Sequence, residues 1–91
     1  MTTFCVGDPS KDTLVMVHGY AGSGALYYKA MAGLAENFYL LIIDIIGMGT
    51  SSRPKWTIKN SDDADSYFMD VFEKWRLAND NLTNFFVAAH S

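Results

Sequence analysis

The sequence has little cysteine and few basic residues, and each shortage excludes a class of protein. Cys5 is the only cysteine, so an intramolecular disulfide is impossible, and no Cys/His cluster supports a zinc site. Ten Asp and Glu residues outnumber seven Lys and Arg residues. The resulting net charge of −3 gives no electrostatic basis for binding nucleic acid. A lone cysteine is more typical of a reducing compartment, so we expect a cytoplasmic protein.

A long apolar run and a targeting segment are also missing. The longest candidate, "FYLLIIDIIGM", carries Asp44 near its centre and falls short of the roughly 20 residues that span a membrane. The first residues, "MTTFCVGDPSKD", lack the basic and apolar regions of a signal peptide. We therefore expect a soluble protein with no transmembrane segment.

Apolar runs and helical patterns alternate along the chain, whose 91 residues allow one domain at most. Continuous apolar runs at residues 13–17, 38–44 and 84–89 predict strands that are buried on both faces. Apolar residues at helical spacing predict helices at residues 24–37 and 62–79. The order strand–helix–strand–helix–strand predicts an α/β fold with a parallel β-α-β-α-β unit.

Two local features refine this prediction. Asn60 or Ser61 can cap the start of the second helix, because both side chains can accept from its first free N–H groups. The six residues before Gly7 can form the end of an earlier strand. The predicted core face of the second helix consists of Phe68, Val71, Phe72 and Trp75.

Functional sites in parallel sheets lie at the carboxyl ends of the strands, and the loop after the first strand is "HGYAGSG". Gly19, Gly22 and Gly24 permit positive φ and let a ligand approach the backbone. Such a loop can also aim backbone N–H groups at an anion. A plain strand-to-helix turn would use the same glycines, and His18 taken alone is more often structural than catalytic.

The loop after the second strand begins with Asp44 and continues as "IIGMGTSS". Gly47 and Gly49 flank Met48 in a tight bend, which is followed by three hydroxyl side chains. A carboxylate at a strand end can bind a ribose or cap a turn. The structural role is the more common of the two.

The third strand leads into Ala89-His90-Ser91. A serine on a sharp turn after a buried strand is the first half of the nucleophile elbow, G-x-S-x-G. Ala89 stands in place of the first glycine and is small enough for that position. Taken singly, this half motif is weak.

One interpretation of the glycines is a dinucleotide-binding fold. The first glycine loop would then bind the pyrophosphate, and Asp44 would bind the ribose. The glycines, however, have the spacing G-x-x-G-x-G and not G-x-G-x-x-G. This alternative also does not predict an exposed serine after the third strand.

The three loops taken together resemble those of the α/β-hydrolase family. The segments "LVMVHGYAGSG", "LLIIDIIGMGTSSRP" and "FFVAAHS" carry the resemblance from about Thr13 to Ser91. Within the family, "IIGMGTSSRP" with "YFMDVFEKWR" is similar to the branch of lysophospholipid and N-acyl-phospholipid hydrolases and the lipid-droplet lipase coactivator. Because the resemblance covers only the N-terminal part of that fold, it implies one partial domain over residues 1–91, truncated after the serine.

The resemblance implies roles for individual residues. Ser91 would be the catalytic nucleophile, and the backbone N–H of Tyr20 would be one donor of the oxyanion hole. The His18-Gly19 pair would form the turn before that hole. His90 would be the residue before the nucleophile and not the catalytic histidine.

The resemblance also implies a structural motif and a function. Asp44, Gly47 and Gly49 would shape the floor of the site, while the catalytic acid and base follow the serine in chain order in this family. The implied parent protein is a serine hydrolase of carboxylic esters, in particular lipid acyl esters, without cofactor or metal, and the 91-residue chain alone would be inactive. A non-catalytic scaffold or coactivator of lipid metabolism is the alternative within the fold. Peripheral contact with a membrane or lipid droplet is compatible with both.

Overall fold

The computed structural model describes residues 1–91 as one four-stranded sheet with a helix on each face. The strands are β1 Thr3–Val6, β2 Thr13–Val17, β3 Tyr39–Ile43 and β4 Phe85–Ala89, and the helices are α1 Tyr28–Ala35 and α2 Ser61–Ala78. The predicted α/β class and the alternation of strands and helices are confirmed. Neither helix combines the length and hydrophobicity that crossing a membrane requires.

The strands lie in the order β1-β3-β2-β4. The three strands predicted from apolar runs are parallel to one another, as expected, with β2 between β3 and β4. β1 confirms the suspected earlier strand, but it runs antiparallel to β3, so the sheet as a whole is mixed. Val17 pairs with both Ile43 and Ala89, so the last residues of the three parallel strands lie side by side at one edge.

The core lies in two layers because successive residues of a strand point to opposite faces of the sheet. Leu14, Met16, Leu40 and Ile42 are buried on the face that α1 covers. Val15, Leu41 and Ile43 are buried with Trp75 on the face that α2 covers. Burial on both faces explains why β2 and β3 appear in the sequence as continuous apolar runs.

The first helix begins differently from the prediction. Residues Gly24–Tyr27 form a 3₁₀ turn, and the α-helical part starts only at Tyr28. The Ser23 side chain accepts a hydrogen bond from the Ala25 N–H at this start. The tighter turn places Gly24 close to the sheet, where a Cβ atom would lie 2.6 Å from Ile42 Cγ2.

The second helix begins as predicted, with Asn60 as its N-cap. Its side-chain oxygen accepts from the Asp63 N–H at 2.8 Å. Of the four residues predicted for its core face, only Trp75 is fully buried, and Phe68 is 37% exposed. The indole of Trp75 donates to Thr3 Oγ1 at 2.8 Å, so α2 is bonded to β1 as well as packed on the sheet.

The last strand is an edge strand that is largely uncovered. Phe86 and Val87, which point to opposite faces, are 59% and 55% exposed. β4 begins at Phe85 and not at the predicted Asn84, because Asn84 has a φ of 54° and cannot continue a strand. β4 is therefore an apolar edge within this chain, and only β2 and β3 are buried on both faces.

Candidate active site

The loops after β2 and β4 meet at the carboxyl edge of the sheet. Gly19 and Ser91 are in direct contact there: a Cβ atom built on Gly19 would lie 2.6 Å from Ser91 Cβ and 2.9 Å from the His90 carbonyl oxygen. Real Cβ atoms do not approach other atoms so closely. Only glycine at position 19 therefore lets Ser91 occupy its place.

The hydrogen bonds between β2 and β4 continue to the residue before Ser91. The His90 N–H donates to the Val17 carbonyl at 3.1 Å, which extends the β2–β4 ladder by one bond beyond β4. Ser91 follows with a φ of 77°, a region that residues other than glycine seldom occupy. The serine side chain is exposed at this turn. A positive φ at an exposed serine after a strand agrees with the start of a nucleophile elbow, in which the backbone is strained at the serine.

Tyr20 follows Gly19 in the first loop, and its backbone N–H is one of several in this loop that have no acceptor within the chain. Its side chain is 90% exposed. The Gly22 N–H, by contrast, donates to the Gly19 carbonyl at 3.0 Å and closes the turn. A free N–H next in sequence to Gly19, which contacts Ser91, is available to bind an anion.

The glycines of the first loop serve close packing and not unusual backbone angles. None of Gly19, Gly22 and Gly24 has a positive φ, whereas Ala21 has a φ of 56°. A Cβ on Gly22 would lie 2.9 Å from the Leu26 side chain. The expectation that these glycines provide positive φ is therefore wrong, and the physical reason for them is the small space beside each.

His18 is a buried link between the first two loops. It is 2% exposed, its Nε2 accepts from the Ile45 N–H at 2.9 Å, and its Nδ1 lies 2.8 Å from the Gly19 carbonyl oxygen. Because Nε2 accepts, the proton of the neutral ring lies on Nδ1 and is donated to Gly19. The imidazole thus holds the Gly19 turn against the loop after β3, and both of its nitrogens are occupied.

Asp44 is fully buried at the end of β3, and both of its carboxylate oxygens are occupied. Oδ1 accepts from the Gly24 N–H at 2.6 Å, and Oδ2 accepts from the N–H and the hydroxyl of Thr50, each at 2.8 Å. Gly49, with a φ of 54°, passes so close that a Cβ would lie 2.3 Å from Oδ2. The buried carboxylate therefore connects the loop after β2 to the loop after β3 through its hydrogen bonds.

The hydrogen bonds to Asp44 decide its charge state. Burial by itself would raise its pKa, but the hydrogen bonds from Gly24 and Thr50 favour the ionised form and bring the pKa below its ordinary value of 3.8. Asp44 is therefore an anion at neutral pH. Because this anion is fully buried and each of its oxygens already accepts a hydrogen bond, it is not accessible to a ribose, which goes against the dinucleotide-binding alternative.

The main chain around Asp44 is also fixed, in part by residues that the sequence did not single out. The Asp44 N–H donates to the Thr2 carbonyl at 2.9 Å. The Ser51 hydroxyl donates to the Asp44 carbonyl at 2.6 Å and accepts from the Thr2 N–H at 2.7 Å. Thr2 gave no signal in the sequence, because its part depends on β1 lying beside β3.

The predicted site residues thus fall into two groups. Gly19, Tyr20 and Ser91 share the open end of the site, and His90 is exposed next to them. His18 and Asp44 lie buried beneath, where their polar atoms are bonded internally. Gly47, with a φ of 84°, forms the bend after β3 and contacts none of the other predicted residues through a built Cβ.

Comparison with known proteins establishes the family. The profile of the α/β hydrolase fold matches residues 12–91, nearly the whole chain. The chain therefore belongs to the α/β hydrolase fold family, a largely enzymatic superfamily. The predicted resemblance is confirmed.

Three curated relatives illustrate what the chain is similar to. A 1-acylglycerol-3-phosphate O-acyltransferase of Arabidopsis thaliana is 43% identical over 79 residues, which cover 87% of this chain and 19% of the relative. The human 1-acylglycerol-3-phosphate O-acyltransferase ABHD5 is 30% identical, with coverages of 90% and 26%. A mouse (lyso)-N-acylphosphatidylethanolamine lipase is 36% identical, with coverages of 81% and 22%. The chain spans about a fifth to a quarter of the length of these relatives.

Solved structures support the same fold. A 2-hydroxy-6-oxo-6-phenylhexa-2,4-dienoate hydrolase of a Rhodococcus species superposes with a TM-score of 0.80 at 21% identity, covering 98% of this chain and 32% of that one. A bacterial membrane phospholipase A superposes with a TM-score of 0.75 at 19% identity, with coverages of 98% and 27%. At such identities the likeness concerns the fold alone.

Proposed function

We propose that the whole protein containing this chain is a serine hydrolase of lipid acyl esters and that Ser91 is its nucleophile. The observation that carries the proposal is the contact between Ser91, held at a positive φ, and the Gly19 turn. The free N–H of Tyr20 next to this contact is proposed as one donor to the oxyanion.

The proposed reaction proceeds through an acyl-enzyme. Ser91 Oγ forms a bond to the carbonyl carbon of the ester while its proton passes to a general base. The negative charge that develops on the carbonyl oxygen is stabilised by N–H donors, including that of Tyr20. The bond to the alcohol then breaks, and the alcohol takes the proton from the base. Water attacks the acyl-enzyme in the second half of the reaction and releases the fatty acid.

Neither histidine of this chain suits the role of the base. Both nitrogens of His18 are occupied, and His90 precedes the nucleophile in the same turn. We therefore propose that the acid and the base come from the rest of the whole protein, in agreement with the chain order of the triad in this fold.

The lipid substrate is proposed from the relatives. Their names specify 1-acylglycerol-3-phosphate as an acyl acceptor and N-acylphosphatidylethanolamine as a lipase substrate, both of which are phospholipids. The acyltransferase names favour a second candidate function, in which the hydroxyl of 1-acylglycerol-3-phosphate replaces water as the attacking group. Both candidates require the same acyl-enzyme at Ser91.

Labelling with a fluorophosphonate tests the nucleophile, because only an activated serine reacts with this probe. We expect the whole protein to be labelled and Ser91→Ala to abolish labelling. Ser52→Ala is the matched control, since Ser52 is also exposed and in a loop of the site, and its hydroxyl makes no hydrogen bond in the chain. Absence of labelling in a correctly folded protein would contradict the proposal and favour the non-catalytic scaffold.

A product analysis separates the two candidate functions. The whole protein is supplied with a labelled phospholipid in the presence and absence of 1-acylglycerol-3-phosphate. Release of free fatty acid under both conditions supports the hydrolase. Formation of the diacyl product, dependent on Ser91, supports the acyltransferase.

A further inference from the structure

Tyr27 is a half-buried residue whose hydroxyl bonds to the last residue of β2. The hydroxyl donates to the Val17 carbonyl at 2.6 Å, which is near the short end of the range for such bonds. Val17 directly precedes His18 and the Gly19 turn. The bond from Tyr27 therefore acts at the point where the strand passes into the first loop of the candidate site.

The Val17 carbonyl also holds the other part of the site. The His90 N–H donates to it at 3.1 Å, and Ser91 is the next residue. A carbonyl oxygen has two lone pairs, so these two donors together occupy it fully. A single carbonyl thus connects Tyr27 to the start of the Gly19 loop and to the residue before Ser91.

The 3₁₀ turn before α1 directs Tyr27 towards the sheet. Side chains three residues apart lie in line on a 3₁₀ helix, so Tyr27 shares its face with Gly24, which packs against Ile42. In a regular α-helix the same two residues would lie about 60° apart around the axis. The ring of Tyr27 packs on the core layer that contains Met16 and Ile42. The tighter turn therefore brings the phenol to the end of β2.

The proton of the Tyr27 hydroxyl is committed to this contact. Burial raises the pKa of Tyr27 above its ordinary value of 10.0, so the phenol keeps its proton at neutral pH. That proton lies in the bond to the Val17 carbonyl and is not available to an oxyanion or a leaving group. Any effect of Tyr27 on a reaction must therefore act through the position of other groups.

Two side chains hold the end of β2 from different elements. The His18 ring bonds to the loop after β3, and the Tyr27 hydroxyl bonds from the start of α1. Without the hydroxyl, the Val17 carbonyl would keep only the bond from the residue before Ser91. Gly19 and Ser91 are in direct contact just beyond these bonds, so a shift of the strand end changes where the serine lies relative to the loop.

We propose that Tyr27 is a positioning residue, whose hydroxyl holds the Val17 carbonyl and through it both parts of the candidate site. The bond sets the distance between the Ser91 oxygen and the N–H groups that receive the oxyanion, including that of Tyr20. This distance matters most in the transition state, where the oxyanion forms. The inference rests on the proposed function, because it concerns the reactivity of Ser91.

The test compares Tyr27→Phe with the wild type in the whole protein. The variant keeps the ring and loses only the hydroxyl. We expect fluorophosphonate labelling of Ser91 to slow on the order of 10-fold, because the expected displacement is smaller than the 1 Å that costs about 100-fold. With a short-chain ester, kcat should fall by a similar factor while KM stays within about twofold, because the hydroxyl bonds within the protein and not to the substrate. Labelling of Tyr27→Phe at the wild-type rate would overturn the inference, and so would a change confined to KM.

Two further variants separate the hydrogen bond from packing and from overall stability. Tyr67→Phe is the matched control, because Tyr67 is also half-buried and its hydroxyl makes no hydrogen bond in the chain. We expect it to be labelled at the wild-type rate, and a slowing equal to that of Tyr27→Phe would contradict a specific role of Tyr27. Tyr27→Leu removes the ring as well and should be slowed at least as much as Tyr27→Phe. Slow labelling of Tyr27→Leu alone would assign the effect to the ring and overturn the role of the hydroxyl.

Failure of this inference and failure of the proposed function give different results. If the wild type is not labelled at Ser91, the proposed function fails and the role of Tyr27 fails with it. If the wild type is labelled and Tyr27→Phe is labelled equally fast, only the role of Tyr27 fails. Each rate is measured at a temperature at which circular dichroism shows every variant to be folded.

Discussion

At the scale of single residues, Gly19 controls where Ser91 lies. Replacing it by alanine would place a Cβ 2.6 Å from Ser91 Cβ, so the serine must move. We expect Gly19→Ala to slow fluorophosphonate labelling of the whole protein on the order of 100-fold, as a misplacement of about 1 Å can do. The labelling rate of folded protein is the measurement.

Gly33→Ala is the control for this prediction. Gly33 lies in α1 and has no atom within 4 Å of a built Cβ, so alanine fits there without displacement. Labelling should be unchanged, and the helix should gain up to about 1 kcal/mol from the higher helix propensity of alanine. A normal labelling rate in Gly19→Ala would show that the close contact does not matter for reactivity.

Asp44 is the second residue for which a prediction can be made, and the quantity affected is the free energy of unfolding. Its folded-state pKa is lower than the ordinary value of 3.8, so its ionised form contributes stability that is fully present above that value. This stability is lost as the pH falls through the lower folded pKa. We expect Asp44→Asn to reduce the free energy of unfolding by about 1–3 kcal/mol at pH 7, because buried donors lose their charged acceptor.

Urea unfolding at neutral and acidic pH checks this prediction. The difference between wild type and Asp44→Asn should begin to shrink below about pH 4, where the carboxyl of the unfolded chain becomes protonated, and should be lost as the pH falls through the lower folded pKa. Asp12→Asn serves as the control, since Asp12 is exposed and its side chain makes no hydrogen bond in the chain. A difference that stays constant with pH would mean that the charge of Asp44 contributes nothing.

At the scale of elements, α2 depends on its N-terminal cap. Asn60 accepts from the Asp63 N–H and donates its amide to the Asp63 carboxylate. We expect Asn60→Ala to cost about 1 kcal/mol in the free energy of unfolding. Ser61→Ala next to it should change stability by less than about 0.5 kcal/mol, because the Ser61 hydroxyl makes no hydrogen bond. Equal effects of the two changes in a denaturant titration would contradict the role of the cap.

At the scale of the whole molecule, this chain presents only part of the proposed site. It contains Ser91 and the free N–H of Tyr20 but no available base, and loss of one oxyanion donor alone costs about 10²–10³ in rate. We expect the purified 91-residue chain not to hydrolyse a short-chain p-nitrophenyl ester. Turnover that is abolished by Ser91→Ala would contradict this prediction.

The uncovered strand β4 bears on whether the 91-residue chain occurs alone or as part of a larger protein. Phe86 and Val87 expose apolar surface on both faces of an edge strand, and such edges favour association of chains. An intact-mass measurement on the native protein distinguishes a protein of about 10 kDa, the mass of this chain alone, from a larger one that contains it. In the larger protein we expect β4 to be covered.

The sequence by itself determined the elements and their order. Buried strands appear as apolar runs because β2 and β3 are covered on both faces, and Asn60 marks the start of α2 because capping is a local interaction. The three loops at the strand ends could also be identified as candidate sites from the sequence, because the carboxyl ends of parallel strands lie at one edge of the sheet.

Only the tertiary structure decided how those loops meet. Strand order and register bring Gly19 against Ser91 and join Asp44 to Gly24, Thr50 and, through the backbone, Thr2. Most of these contacts link residues far apart in the chain, and the pattern of local hydrophobicity carries no information about them. The sequence also did not determine the direction of β1, because a short edge strand can pair with its neighbour in either a parallel or an antiparallel direction. The structure shows that β1 is antiparallel to β3.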